Sequence, residues 1–208
     1  MWFNLIITVL VAYLLGNLNG AVCISNLVAH EDVRNHGSGN AGLTNFIRNY
    51  GAGKSLGVIL VDGGKATLAC LVGGLLLEDS LGYFNGMCIG GFAVMLGHDY
   101  PILLGFKGGK AVLSCAFVAF TVDWRIGAIG LAVFALFYLT TQYVSLGSIM
   151  GAAIIGTMFA VFHHDEPLGM ILGIGMAVMV IVLHHGNIVR LIKGNERKTN
   201  LFGKGNRA

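Results

Sequence analysis

Seven apolar runs, at about 4–28, 54–77, 83–97, 109–122, 126–140, 147–162 and 168–184, take up most of the chain and leave only short polar breaks between them. Crossing about 30 Å of hydrocarbon takes roughly 20 helical residues, so runs of this kind read as membrane spans. The expected fold is all-α: a polytopic integral membrane protein, a bundle of seven transmembrane helices, with residues 1–208 forming a single domain. Composition narrows the choice further. Only 11% of the residues are charged and 55% are hydrophobic, whereas soluble domains average about 25% charged. An ordinary soluble globule is excluded. Disorder is excluded too, because it requires low hydrophobicity and high charge.

Charge along the chain orients the bundle. If the spans alternate, one side receives Arg34, Arg48, Lys54, Lys107, Lys110 and the six cations of the tail from Arg190 to Arg207, which is 11 of the 13 basic residues. The opposite side keeps Arg125, and Lys65 lies within a span. By the positive-inside rule the basic side is cytoplasmic, which places the N-terminus outside and the C-terminus in the cytoplasm. Fusing the fourth and fifth runs across Asp123, Trp124 and Arg125 would split the cations nearly evenly, so seven spans is the better count. The start, MWFNLIITVLVAYLL, has no Lys or Arg before Arg34 and lacks the basic region of a signal peptide, so it is expected to remain as the first span. Cys23, Cys70, Cys88 and Cys115 lie in apolar stretches without CxxC spacing and read as small buried hydrophobes. A net charge of +3 is too small to suggest a nucleic-acid partner.

The chemistry collects on the cytoplasmic side, in HGSGNAGLTNFIRNYG (36–51), GHDYPILLGFKGGK (97–110) and HHGNIVRLIKGNERK (184–198). Gly37, Gly39 and Gly42 formally satisfy G-x-G-x-x-G, but no βαβ unit surrounds them, which argues against a dinucleotide site. What remains is a glycine-rich loop able to turn backbone N–H groups toward an anion, with Ser38, Asn40, Thr44, Asn45 and Arg48 as further donors; an ordinary flexible loop is the alternative. GAGKS at 51–55 is not a Walker loop, because Arg48 stands where glycine is required. Lys107, Gly108, Gly109 and Lys110 place two ammonium groups around bare backbone, which suits phosphate or an interfacial anchor. His184, Asn187, Arg190 and Lys193 recur every third residue and would share one face of a continuous helix. Asp62 and Lys65, at i, i+3 within a span, are expected to neutralise each other. His163, His164, Asp165 and Glu166 read as a solvated outer loop, and no metal site is expected.

GSGNAGLTNFIR (37–48), GHDYPILLGFKGGK (97–110) and HHGNIVRLIKGNE (184–196), with VDGGK (61–65) and YVSLGSI (143–149), closely resemble the signatures of the bacterial acyl-phosphate:glycerol-3-phosphate acyltransferase family. The resemblance implies an enzyme of the bacterial cytoplasmic membrane that moves a fatty acyl group from acyl phosphate to glycerol 3-phosphate. The products would be 1-acylglycerol 3-phosphate, for phospholipid synthesis, and orthophosphate. It implies no metal, no cofactor and no obligatory protein partner beyond membrane lipid and the two substrates. By the same resemblance Ser38, Arg48, His184 and Asn187 are expected to be catalytic. Asn40, Thr44, Asn45, Lys107, Gly108, Gly109 and Lys110 are expected to bind substrate, and Glu196 to hold structure. Ala111 departs from the family, in which glycine commonly follows the second lysine. The alternative function is a membrane transporter for a phosphorylated or anionic small solute, which midplane charges such as Asp62 and Lys65 would favour. A non-catalytic scaffold fits least, since it needs no glycine-flanked cations on three segments.

Overall fold

The structure, a computed structural model, describes residues 1–199 and 201. Lys204 and Arg207, two cations of the sidedness argument, lie outside the described residues. Within the described residues the chain is helical throughout, with no strand. Ten α-helices follow in order: α1 (Trp2–Gly16), α2 (Gly20–Ala29), α3 (Leu43–Tyr50), α4 (Ser55–Leu81), α5 (Tyr83–Asp99), α6 (Val112–Val122), α7 (Trp124–Thr141), α8 (Val144–Phe162), α9 (Pro167–Leu183) and α10 (His185–Ile192). Five segments are long and apolar enough to cross a membrane: Trp2–Ala29, Ala52–Leu81, Tyr83–Leu104, Trp124–Thr141 and Val144–Phe162. The pair α9 and α10 makes a sixth if its 55° bend is counted within one span. The remaining apolar run is α6, whose 11 residues extend only about 16 Å at 1.5 Å per residue.

Glycine sets the helix spacing. A methyl group at Gly73 would overlap the Gly86 carbonyl, one at Gly90 the Ala69 carbonyl, and one at Gly97 the Tyr13 carbonyl. Backbones of α4 and α5, and of α1 and α5, therefore approach to a distance that only small residues permit, the usual packing device where lipid supplies no hydrophobic contrast. Leu60, Leu75, Leu136 and Ile171 point outward, as expected of a lipid-facing surface. Cys70, Cys88 and Cys115 are buried as expected, but Cys23 is exposed on α2, although its neighbours Ala21 and Val22 are buried; one turn of a helix presents both faces, so an apolar stretch does not fix which residue points inward.

Two breaks matter. The first apolar run is interrupted at residues 17–19. Asn19 caps α2 by accepting from Val22 N at 3.0 Å, and Asn17 reaches back to Tyr13 O at 2.7 Å. The other freed backbone groups are served from α4. Lys65 Nζ donates to Gly16 O (3.0 Å) and Leu18 O (2.7 Å) at the end of α1, and Asp62 Oδ1 accepts from Gly20 N (2.9 Å) at the start of α2. Lys65 and Asp62 pair at 2.8 Å, as expected, and each charge also meets the helix end of opposite polarity. The second break, between α6 and α7, falls at Asp123, which accepts from Arg125 N at 3.0 Å and from His163 Nε2 at 3.1 Å. His163 and Glu166, the latter accepting from Asn85 at 2.9 Å, thus knit these helix ends together where a solvated loop was expected.

Candidate active site

A cavity of about 710 Å³ opens where the three polar segments meet. The first turns of four helices line it: Leu43 and Thr44 of α3, Val112 and Leu113 of α6, Val144 and Ser145 of α8, and His185 to Asn187 of α10. Helix N-termini carry unpaired N–H groups and partial positive charge, so this convergence favours an anion before any side chain is counted. Arg48, Lys110, Arg190 and Arg197 add full charges to the same lining. Its inner wall is apolar, formed by Leu131, Phe134, Ala152, Ile155 and Val180. The lining thus combines a cationic part with an apolar one.

The glycine loop is shaped from within by Asn45. Its Nδ2 donates to Val33 O, His36 O and Asn40 O at 3.0–3.1 Å, and its Oδ1 accepts from Ser38 N at 3.0 Å. Asn45 borders the cavity, but its amide is spent on the loop, which makes it a positioning residue where a substrate contact was expected. Gly37 and Gly39 take φ +62° and +71°, a left-handed turn that lifts Ser38 to the cavity rim. Asn40 and Thr44 also line the cavity. Arg48 projects from α3, with Nε donating to Thr199 Oγ1 at 2.9 Å and Nη2 contacting the same hydroxyl. Thr199 is itself held, since its N donates to Gln142 O at 3.1 Å and its carbonyl accepts from Tyr138 Oη at 3.1 Å.

The second segment divides. Lys110 Nζ reaches into the cavity and hydrogen-bonds Asn187 Oδ1. Burial holds its ammonium below the usual lysine value, Arg190 reinforces that shift, and Glu196 opposes it. Lys107 is exposed on a different surface hollow beside Asp32 and Arg34, so it does not join the cavity as expected. Gly108 and Gly109 are not cavity lining either. A methyl at Gly108 would overlap the His98 carbonyl, and one at Gly109 the His98 Nε2. Their bareness lets the chain run against the end of α5, with Gly109 N donating to His98 O at 3.1 Å, and this aims Lys110. Ala111 follows in the left-handed region, at φ +43°, where a Cβ is strained. The family's glycine would be at ease there.

In the third segment the expected continuous helix is broken at His184, where α9 gives way to α10. His184, Asn187 and Arg190 still face the cavity, whereas Lys193 is exposed outside it. His184 is buried, and its Nδ1 lies 2.7 Å from Val180 O. A carbonyl only accepts, so that nitrogen carries the proton and a neutral ring turns the Nε2 lone pair to the cavity. Glu196 organises its neighbours: Oε1 accepts from Asn187 Nδ2 (2.7 Å) and Ser145 Oγ (2.8 Å), and Oε2 from Arg190 Nε (2.7 Å). Burial by itself would raise the Glu196 pKa, but the hydrogen bonds from Asn187, Arg190 and Ser145 outweigh it and hold the carboxyl below its ordinary value. With Oδ1 receiving Lys110 and Nδ2 given to Glu196, Asn187 has a fixed orientation.

Several residues escaped the sequence reading. His98 lines the cavity floor, and its signal was a histidine inside an apolar run. Arg34 donates from Nη1 to Leu104 O (2.9 Å) and Lys107 O (3.0 Å), stapling the second segment to the first. Ser145 lay in the segment YVSLGSI without being singled out, and Thr199 carries no local signature at all.

Residues 6–194 match the glycerol-3-phosphate acyltransferase family. A glycerol-3-phosphate acyltransferase from Finegoldia magna is 38% identical over 200 residues, covering 95% of this chain and 97% of that protein. One from a Thermoanaerobacter species is 36% identical over 193 residues, covering 93% and 94%. The crystal structure of PlsY, an integral membrane glycerol 3-phosphate acyltransferase, in its glycerol 3-phosphate form superposes with TM-score 0.84 at 31% identity, covering 94% of this chain and 96% of that one. Its lysophosphatidic acid form gives 0.82 at 29% identity, covering 95% and 96%. The helical bundle with its cationic cavity is thus an integral membrane acyltransferase. Within that class, the chain belongs to the glycerol-3-phosphate acyltransferase family of PlsY type.

Proposed function

We propose that the protein transfers a fatty acyl group from acyl phosphate to a hydroxyl of glycerol 3-phosphate, giving 1-acylglycerol 3-phosphate and orthophosphate for phospholipid synthesis. The observation that carries this reading is one cavity of about 710 Å³ whose lining combines Arg48 and Lys110 with an apolar wall of Leu131, Phe134, Ala152, Ile155 and Val180. Both substrates are phosphorylated and one has a chain, and the cavity offers both environments. Seven spans, with the N-terminus outside and the cavity at the cytoplasmic face of the inner membrane, fit the distribution of basic residues. In this arrangement α6 is the short span.

Acyl phosphate is a mixed anhydride, so its carbonyl is already activated. The hydroxyl oxygen attacks that carbon, the carbon–oxygen bond to phosphate breaks, and phosphate leaves with the electron pair. His184 Nε2 accepts the hydroxyl proton and returns it to the departing phosphate. Arg48 and Lys110 hold phosphate oxygens, while Ser38 and Asn187 face the oxyanion that forms at the carbonyl. Asn40 and Thr44 donate at the rim, Gly108 and Gly109 aim Lys110, and Glu196 fixes Asn187. No metal or cofactor has a part in these steps. Positioning and charge neutralisation supply the rate.

The test gives purified protein labelled glycerol 3-phosphate with either acyl phosphate or acyl-CoA. Labelled lipid and free phosphate from acyl phosphate alone is the expected result. Product from acyl-CoA would overturn the donor assignment, and uptake into vesicles without acyl transfer would restore the transporter. Orientation is tested with single cysteines at Lys198 and Asp165, which should react with an impermeant thiol reagent from opposite sides.

A further inference from the structure

The mechanism above leaves the buried group of Asp62, Lys65 and His98 without a chemical role. Asp62 and His98 nevertheless reach the cavity. Lys65 Nζ lies 2.9 Å from His98 Nδ1, and Asp62 Oδ1 lies 3.4 Å from the same nitrogen. An ammonium group only donates, so the nearer contact makes Nδ1 an acceptor that carries no proton. Lys65 and Asp62 offset each other's charge at 2.8 Å, and a third ionised group in this buried position would lack a counter-charge. The ring is therefore neutral, with its proton on Nε2.

That N–H has a direction. Nε2 takes no partner from the protein among the described residues and is not sealed from the cavity. It lies so close to Gly109 that a methyl there would overlap it. Lys110 and the first turn of α6 come next in the chain, and both favour an anion. The Ala41 carbonyl stands against Gly109 as well, where the first and second segments meet.

We propose that His98 is a further substrate-binding residue, donating from Nε2–H to a phosphate oxygen of a substrate bound in the cavity, on the side of Lys110. The inference deepens the acyltransferase reading and rests on it. Lys65 sets the donor's tautomer and Asp62 balances the charge, so the donor is supplied without adding net charge to the cavity floor.

Two replacements separate this role from a structural one. His98→Asn keeps an acceptor for Lys65 at the Nδ1 position but loses the donor at the cavity. His98→Gln extends an amide N–H to about the position of Nε2. For His98→Asn the KM of the phosphorylated substrate should rise about tenfold or more, as for a lost hydrogen bond to a charged group, with kcat within about twofold. His98→Gln should stay within about threefold of wild type, on the same grounds. A rise for glycerol 3-phosphate assigns the contact to the acceptor, and a rise for acyl phosphate to the donor. Unchanged KM values in His98→Asn, or equal losses in both variants, would overturn the proposal. Nitrogen-15 spectra of histidine-labelled wild-type protein provide a readout that needs no asparagine variant. The His98 signal, assigned by its loss in His98→Gln, should report the Nε2–H tautomer and shift on adding inorganic phosphate; an Nδ1–H tautomer would overturn it. Wild-type protein inert with acyl phosphate would break the acyltransferase reading instead, and the spectra would still decide the tautomer.

Discussion

The two walls of the cavity each present a buried histidine fixed through Nδ1, yet the partners are opposite. On the α9–α10 wall a carbonyl accepts from His184 Nδ1, which leaves a lone pair on Nε2. On the α4–α5 wall an ammonium group donates to His98 Nδ1, which leaves a proton there. One ring is therefore made a base and the other a donor by a single second contact. Each wall also has an organising carboxylate. Asp62 is enclosed with Lys65, whereas Glu196 sits beneath the partly exposed Arg190. Equal chemistry at unequal depth should fail in unequal ways.

The largest effect should come from removing the base. His184→Ala should lower kcat by about 10²- to 10⁴-fold, the usual range for general base catalysis, while glycerol 3-phosphate KM changes little. A fall in kcat smaller than threefold would mean that the leaving phosphate takes the proton unaided.

Depth is tested next. Lys65→Met strands the Asp62 carboxylate among helices and should destabilise the protein by about 3–5 kcal/mol, read as thermal unfolding in lipid nanodiscs. A companion change of Asp62→Leu should recover much of the loss, because no unpaired charge remains. On the other wall Glu196→Gln should cost only about 1 kcal/mol, the scale of a partly exposed ion pair. Equal losses on the two walls would refute the comparison.

Acidity distinguishes them further. The Glu196 carboxyl is held below its ordinary value, so its contribution to stability is complete above that ordinary value and disappears as pH falls through the lowered one. Wild type and Glu196→Gln should therefore differ in melting temperature at neutral pH and converge in acid. A difference that grew on acidification would reverse the assigned shift.

The smallest effects probe the edges of the site. Thr199→Val removes the hydroxyl that receives Arg48 and should raise KM for the phosphorylated substrates about threefold to tenfold, the scale of one such hydrogen bond. Ala111→Gly relieves a left-handed alanine and should stabilise the protein by about 1 kcal/mol; a loss of stability would show that the methyl packs usefully.

Much of the site was legible because its elements are local. Asp62 and Lys65 are three residues apart on a helix, and their pairing follows from that spacing. His184, Asn187 and Glu196 fall within one short segment and do meet around the cavity. Lys107 misled for the same local reason: the spacing of two lysines around two glycines shows neither which one turns inward nor that Gly108 and Gly109 serve packing against His98. Thr199 was illegible because its partner Arg48 lies 151 residues away, and Ser145 because its hydroxyl acquires meaning only from Glu196, 51 residues on.

The sequence by itself determined the solvent and the helical class, since hydrophobic runs of bilayer length with so few charges have no other stable home. It also determined the residue types available to the reaction. Only the tertiary structure decided which lysine enters the cavity, which nitrogen of each histidine is free, and that the first turns of four helices line one cavity. Those outcomes depend on close approach between segments distant in the chain, and hydrogen-bond direction is fixed by the partner as much as by the residue itself.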